Sequence, residues 1–164
     1  MKPEIQMELE QQVAAIVTKH PRLQYMWAQN QPSVGTQLKF PKVAAEGFDI
    51  VLDISNADIV VRIGELDEAF RIDVHGGPAL AVRYALGLVR DLLSPAMRLR
   101  ILSAGGRPYR WVLESSDDGV WKAENLTGRI FYRYFGRRSE AIFQNSQLPA
   151  REVLWEGSSH RFAV

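Results

Sequence analysis

The sequence predicts an α+β fold: a twisted, largely antiparallel sheet of about six to eight strands with two main helices packed on one face, in a single domain spanning 1–164. Three observations predict it. Residues 48–75, FDIVLDISNADIVVRIGELDEAFRIDVH, alternate apolar and polar side chains through three short runs divided by two turn-like breaks, the pattern of a half-buried antiparallel sheet. Two stretches of helical periodicity flank that block, and a series of short β-prone runs begins near residue 97. At 164 residues, with 46% apolar and 24% charged side chains, the chain has the size and composition of a soluble domain able to bury a sizeable core.

The first helix follows from Pro3-Glu4, since proline suits the first helical turn and an acid suits the positive end of the helix dipole. Ile5, Leu9, Val13, Ile16 and Val17 form one apolar stripe, and His20-Pro21 stops the helix. Residues 21–37 read as a connection with a short helical turn that carries Trp27 into the core or a binding cleft. A strand near 37–43 follows, confined to a sheet edge by Pro41.

In the 48–75 block, Ser55-Asn56-Ala57-Asp58 invites a tight hairpin that sets Ile54 against Ile59, Leu52 against Val61 and Ile50 against Ile63. For the next hairpin, pairing Ile63 with Ile72 sets Arg62 opposite Asp73, whereas pairing Ile63 with Phe70 sets Arg62 opposite Arg71. Like charges repel across a sheet, so the first register is expected, with Leu66–Ala69 as the connection. The third strand then runs on to His75. Gly76-Gly77-Pro78 turns the chain into a second helix, 78–93, with a broad apolar surface and a narrow outward stripe of Arg83, Gly87, Arg90 and Ser94. Strands are expected near 97–103, 108–115, 120–124, 129–135 and 139–145, with turns at Ala104–Arg107 and Ser116–Gly119. In the tail, 146–164, Val153-Leu154-Trp155 is apolar enough to dock.

The chain has no cysteine, which excludes disulfides, thiolate metal sites and cysteine nucleophiles. Its first residues, MKPEIQMELEQQ, carry acids where a secretory signal needs an apolar stretch, and no apolar run approaches the roughly 20 residues of a membrane span. A cytoplasmic protein without membrane contact is expected. Charge is uneven: 7 basic and 11 acidic side chains up to residue 75, then 13 basic and 8 acidic, nearly all the later bases being arginine. Arginine's planar fork suits carboxylates and phosphates, although genome composition also produces an arginine excess.

Candidate chemistry lies in three places. Asp49, Asp53, Asp73 and His75 project from the polar face of the first strands, where carboxylates with a histidine could bind a divalent ion or move protons. Interleaved Arg and Asp is also how an exposed sheet face is ordinarily solvated. Gly76-Gly77 at a strand-to-helix junction could present amides to an anion, but Pro78 removes a donor and no P-loop lysine follows, so a glycine-requiring turn is the plainer reading. The stretch RIFYRYFGRR, 129–138, interleaves aromatics with arginine. It suits single-stranded nucleic acid, with Arg98, Arg100 and Arg110 extending the basic face or simply lying on the wet side of their strands; the plainer reading is a central strand that buries Phe131 and Phe135 on one side and Tyr132 and Tyr134 on the other. No nucleophile elbow, Ser-x-x-Lys or histidine cluster supports catalysis, and neither a cofactor nor a metal is implied.

The expected function is a non-enzymatic binding or interaction module for a protein partner or small ligand, a homodimer being one form of it. Its binding residues are expected among Trp27, Tyr132, Arg133, Tyr134, Arg137 and Arg138, because Trp27, Trp111, Trp121, Phe131, Tyr132, Tyr134, Phe135 and Trp155 exceed what one small core holds, and aromatics and arginines dominate interface hot spots. Two alternatives stay open: a hydrolytic or metal-dependent enzyme on the Asp/His face, and single-stranded nucleic-acid binding through an Arg/aromatic sheet face.

Overall fold

The computed structural model describes residues 2–30, 35–117, 119–128 and 135–150. The fold is α+β, and its antiparallel strands divide between two sheets rather than forming one. Helix α1 (Glu4–Lys19) leads into strands β1 (Met26–Asn30), β2 (Gly35–Phe40), β3 (Ile50–Ile54), β4 (Asp58–Ile63) and β5 (Leu66–Arg71), which form a five-stranded meander in sequence order. A helical turn, α2 (Ile72–His75), and helix α3 (Pro78–Leu92) follow. The second sheet contains β6 (Met97–Ala104), β7 (Arg107–Asp117), β8 (Val120–Gly128) and β9 (Arg138–Gln144) in the order β8-β7-β6-β9. Three consecutive strands with the fourth returning beside the first make a Greek key. Sequence neighbours close first because their loops are short, and α3 separates the two sets, so each half builds its own sheet.

The first hairpin has the expected register, with Ile54 opposite Ile59 and Leu52 opposite Val61. Leu38, Phe40, Ile50, Leu52, Ile54, Ile59, Val61 and Ile63 all point inward and are buried. Ile5, Leu9 and Val13 of α1 and the apolar face of α3 cover them. Burial of this many large aliphatic side chains, each contributing roughly 1.5–3 kcal/mol, is the main force holding helices to sheet.

Four expectations are corrected. The second hairpin turns at Gly64-Glu65, pairing Ile63 with Leu66 and Arg62 with Asp67. Asp67 satisfies the same charge argument through a shorter loop, and Leu66 and Phe70 still face the core. β5 therefore ends at Arg71, and Asp73 and His75 stand on α2 rather than on a strand. Trp27 lies on β1, opposite Leu38, and not on a helical turn; strand pairing gives its backbone partners while its ring packs partly buried against the core. β2 stops at Phe40, before Pro41, so it keeps its amides for the ladder and sits between β1 and β3 instead of at an edge. In α3, Arg83 does face out, but Gly87 and Ser94 are buried; Ser94 Oγ donates to the Asp91 carbonyl at 2.8 Å and caps the end.

The inner face of the second sheet, Met97, Leu99, Trp111 and Leu113, joins the same apolar cluster as the first. A Cβ on Gly64 would lie 4.0 Å from both Leu99 and Trp111, so the β4–β5 turn rests on that face. Asn145, 3% exposed, stitches the halves together: its carboxamide accepts from Phe48 N at 3.2 Å and donates to the carbonyls of Phe48 and Leu92 at 3.1 Å. Among the described residues no helix is long and apolar enough to cross a membrane.

Candidate functional site

On the outer face of the second sheet, alternation places Arg98, Arg100 and Leu102 beside Glu114, Val112 and Arg110 of β7. Glu114 is 5% exposed because two guanidiniums enclose it: Arg98 Nε lies 2.6 Å from one carboxylate oxygen and Arg100 Nη2 lies 2.7 Å from the other. Arg100 also reaches Glu140 at 3.5 Å, and the Arg98 guanidinium stacks 4.1 Å above the Trp121 ring. These two arginines are therefore engaged internally and do not extend a free basic face, correcting the expectation for Arg98 and Arg100.

Four other arginines at one end of this sheet differ. Arg107 and Arg138 are the cross-strand neighbours of Ala104 on its two sides, and Arg110 lies opposite Leu102. Arg137 immediately precedes β9. All four are exposed, and among the described residues none makes an ion pair. The backbone holds them together. The β6–β7 turn, Gly105-Gly106, touches the segment before β9 so closely that a Cβ on Gly136 would sit 2.8 Å from Gly105 Cα, and one on Gly105 would sit 2.9 Å from the Phe135 carbonyl. Gly105 N–H donates to the Arg137 carbonyl at 3.0 Å, and Gly136 has φ +108, open to glycine and strained for other residues.

This crossing presents Phe135 at 76% exposure. Phe135 is thus neither on a strand nor in the core, contrary to the central-strand expectation; Tyr132, Arg133 and Tyr134, with Arg129 to Phe131, lie outside the described residues, as do Trp155 and the rest of 151–164. Two exposed aliphatics share the outer face: Ile142 at 45% and Leu126 at 54% stand in one cross-strand row with Arg100 and Val112. The assembled end holds an exposed aromatic ring, four guanidiniums with no ion pair among the described residues, and aliphatic surface on the adjoining face. Arg137 and Arg138 were legible as candidates; Arg107 was hidden, because a turn residue looks inert until the Gly105-Gly106 turn brings it level with Arg138.

The other candidates are dispersed. Asp49 accepts the Lys42 amide at 2.9 Å and pairs with Lys39 at 2.6 Å; the Lys39 ammonium first, then the Lys42 amide, holds its carboxyl below the ordinary aspartate value. Asp53 pairs with Arg62 and accepts from Gln37 at 2.9 Å. Asp73 is exposed and bound by Arg71 through two contacts, 3.1 and 2.7 Å. His75 places Nδ1 2.8 Å from the Arg71 carbonyl, with its ring between Phe70 and Tyr84 at centroid distances of 5.7 and 5.2 Å. Asp49 precedes β3, whereas Asp73 follows the end of β5 that pairs with the start of β4, so the two stand at opposite ends of the sheet. Among the described residues no three His, Asp or Glu side chains are grouped to hold a metal. Gly76 and Gly77, at φ +82 and +132, form a turn between α2 and α3. Trp27 is on the inward face of β1. No protein-family model matches this chain, and neither does any curated protein or solved structure.

Proposed function

We propose that the chain is a non-catalytic interaction module that docks an acidic protein partner on the Arg107–Arg110–Phe135–Arg137–Arg138 end of its second sheet. The observation that carries this reading is the contrast between arginines of one sheet. Arg98 and Arg100 are neutralised by Glu114 and Glu140, while the four arginines at the β6–β7 turn end have no ion partner among the described residues. An exposed Phe near arginines that make no ion pair among the described residues has the composition of an interface hot spot: the ring fills a pocket and the guanidiniums meet carboxylates at its rim.

A protein is favoured over single-stranded nucleic acid by the apolar residues that accompany Phe135. Bases need a row of aromatic rings to stack on, and among the described residues the exposed apolar side chains on the adjoining face are Leu126 and Ile142, which suit side-chain packing instead. The test is affinity capture from an extract of the source cells with the full chain, its Phe135→Ala variant and its Arg137→Glu/Arg138→Glu variant, before and after nuclease treatment. Protein retained by the wild type, lost by at least about tenfold in both variants and insensitive to nuclease is the expected result. Equal retention by the variants, or loss on nuclease treatment, overturns the proposal.

A further inference from the structure

A second surface, between α1 and α3, has a different chemistry. The last turns of α1 and the middle of α3 leave an open groove of about 240 Å³. Its floor is apolar: Ala15 and Ile16 come from one helix, Leu86 and Gly87 from the other. Lys19, His20, Arg83 and Arg90 line its sides, and among the described residues no carboxylate does. Gln12, which also lines the groove, donates its Nε2 to Glu8 at 2.6 Å. Arg90 adds a specific signal. Its Nε is buried and, among the described residues, has no hydrogen-bond partner, so a group in the groove would meet this guanidinium through its other nitrogens. A guanidinium that lines an apolar groove suits an oxyanion whose remaining atoms are apolar.

We infer that this groove binds a small amphipathic anion, with a carboxylate or phosphate head at Arg90 and a short apolar chain along Ile16, Leu86 and Gly87. The volume falls below the roughly 300–1,000 Å³ of drug-sized sites, so a single short chain or ring fits and a nucleotide does not. Arginine's fork matches either head group, and Lys19 adds charge at the mouth. The inference is independent of the partner-docking end, which involves none of these residues.

The test is an NMR titration of the full ¹⁵N-labelled chain with hexanoate, hexyl phosphate, hexanamide and inorganic phosphate. Hexanoate or hexyl phosphate should shift amides of α1 and α3 in a saturable way and bind at least about tenfold more tightly than both hexanamide and inorganic phosphate; the tighter of the two assigns the head group. Arg90→Gln should weaken that binding by about tenfold, Lys19→Gln by about two- to threefold, and Arg107→Ala/Arg138→Ala not at all. Equal binding of hexanamide, equal binding of inorganic phosphate, or shifts mapping outside the groove overturns the inference. So does unchanged affinity in a folded Arg90→Gln variant. Should that variant fail to fold, Lys19→Gln and His20→Asn carry the decision, and unchanged affinity in both is contrary to the inference.

Discussion

Glu114 is the buried centre of the second sheet's outer face, because its two oxygens hold two arginines whose other contacts are weaker or more exposed, Arg100 with Glu140 at 3.5 Å and Arg98 on the Trp121 ring. Removing its charge leaves Arg98 and Arg100 half-buried beside a neutral amide. Glu114→Gln should therefore destabilise the fold by about 2–3 kcal/mol, below the full cost of breaking a buried pair because both guanidiniums keep some water. Urea unfolding with an unchanged slope is the measurement. Asp49 makes a smaller, pH-dependent contribution. Its carboxyl is depressed in the folded state, so the stabilisation is present above the ordinary aspartate value and lost as pH falls through the lower folded value. Acid unfolding of Asp49→Asn should show a shallower loss of stability in that window than wild type; parallel curves would contradict the assignment. Arg137 and Arg138 stood out in the sequence by type and spacing. The pairing that separates free from engaged arginines did not, since Glu114 lies sixteen residues from Arg98 and the sequence pattern does not show which carboxylate faces which base.

Elements were most legible where pairing is local. The β3–β4 hairpin follows from Ser55–Asp58 and a two-residue alternation, and Ile54 meets Ile59 as that pattern dictates. The β4–β5 hairpin followed the same parity but took a tighter turn, with Asp67 opposite Arg62 in the ladder while the Arg62 guanidinium pairs with Asp53. The β1 strand was obscured by Tyr25-Met26-Trp27, whose bulk suits a helical turn or a strand equally; Tyr25 packs 6.5 Å from Phe40 and directs the chain along β2. At the docking end, the element that matters is the Gly105–Gly136 crossing. Gly136→Ala adds a Cβ both at positive φ and within 2.8 Å of Gly105 Cα, a local strain of about 1–3 kcal/mol. It should displace Phe135 and reduce partner capture while the far-ultraviolet circular dichroism stays that of the wild type. Full capture by this variant would show that the ring's placement is unimportant.

At the scale of the molecule, the two sheets share one apolar cluster, with α3 contributing Leu86, Leu88, Val89 and Leu92 and the second sheet contributing Met97, Leu99, Trp111 and Leu113. Leu88→Ala should cost about 2–5 kcal/mol and lower native-state hydrogen-exchange protection in β3–β4 and β6–β7 together. Loss confined to the first sheet would indicate two independently stable units. The sequence shows the α+β class and the inward faces, because periodicity is local. It does not show that strands from 97 onward form a separate Greek key, because β9 reaches β6 across more than thirty residues and that closure leaves no periodic trace. Both proposed surfaces depend on that closure or on the docking of α1 against α3, so each became visible only when distant segments met.

The central claim is that Phe135 and the arginines near it face a protein partner, and site-specific photocross-linking tests it most directly. A benzophenone side chain in place of Phe135, with Val120 at the other end of the same sheet as the control position, would be irradiated in an extract of the source cells. The account predicts a protease-sensitive, nuclease-resistant adduct at position 135 that disappears with Arg137→Glu/Arg138→Glu and is absent from position 120. A nuclease-sensitive adduct, or equal labelling from both positions, would contradict it.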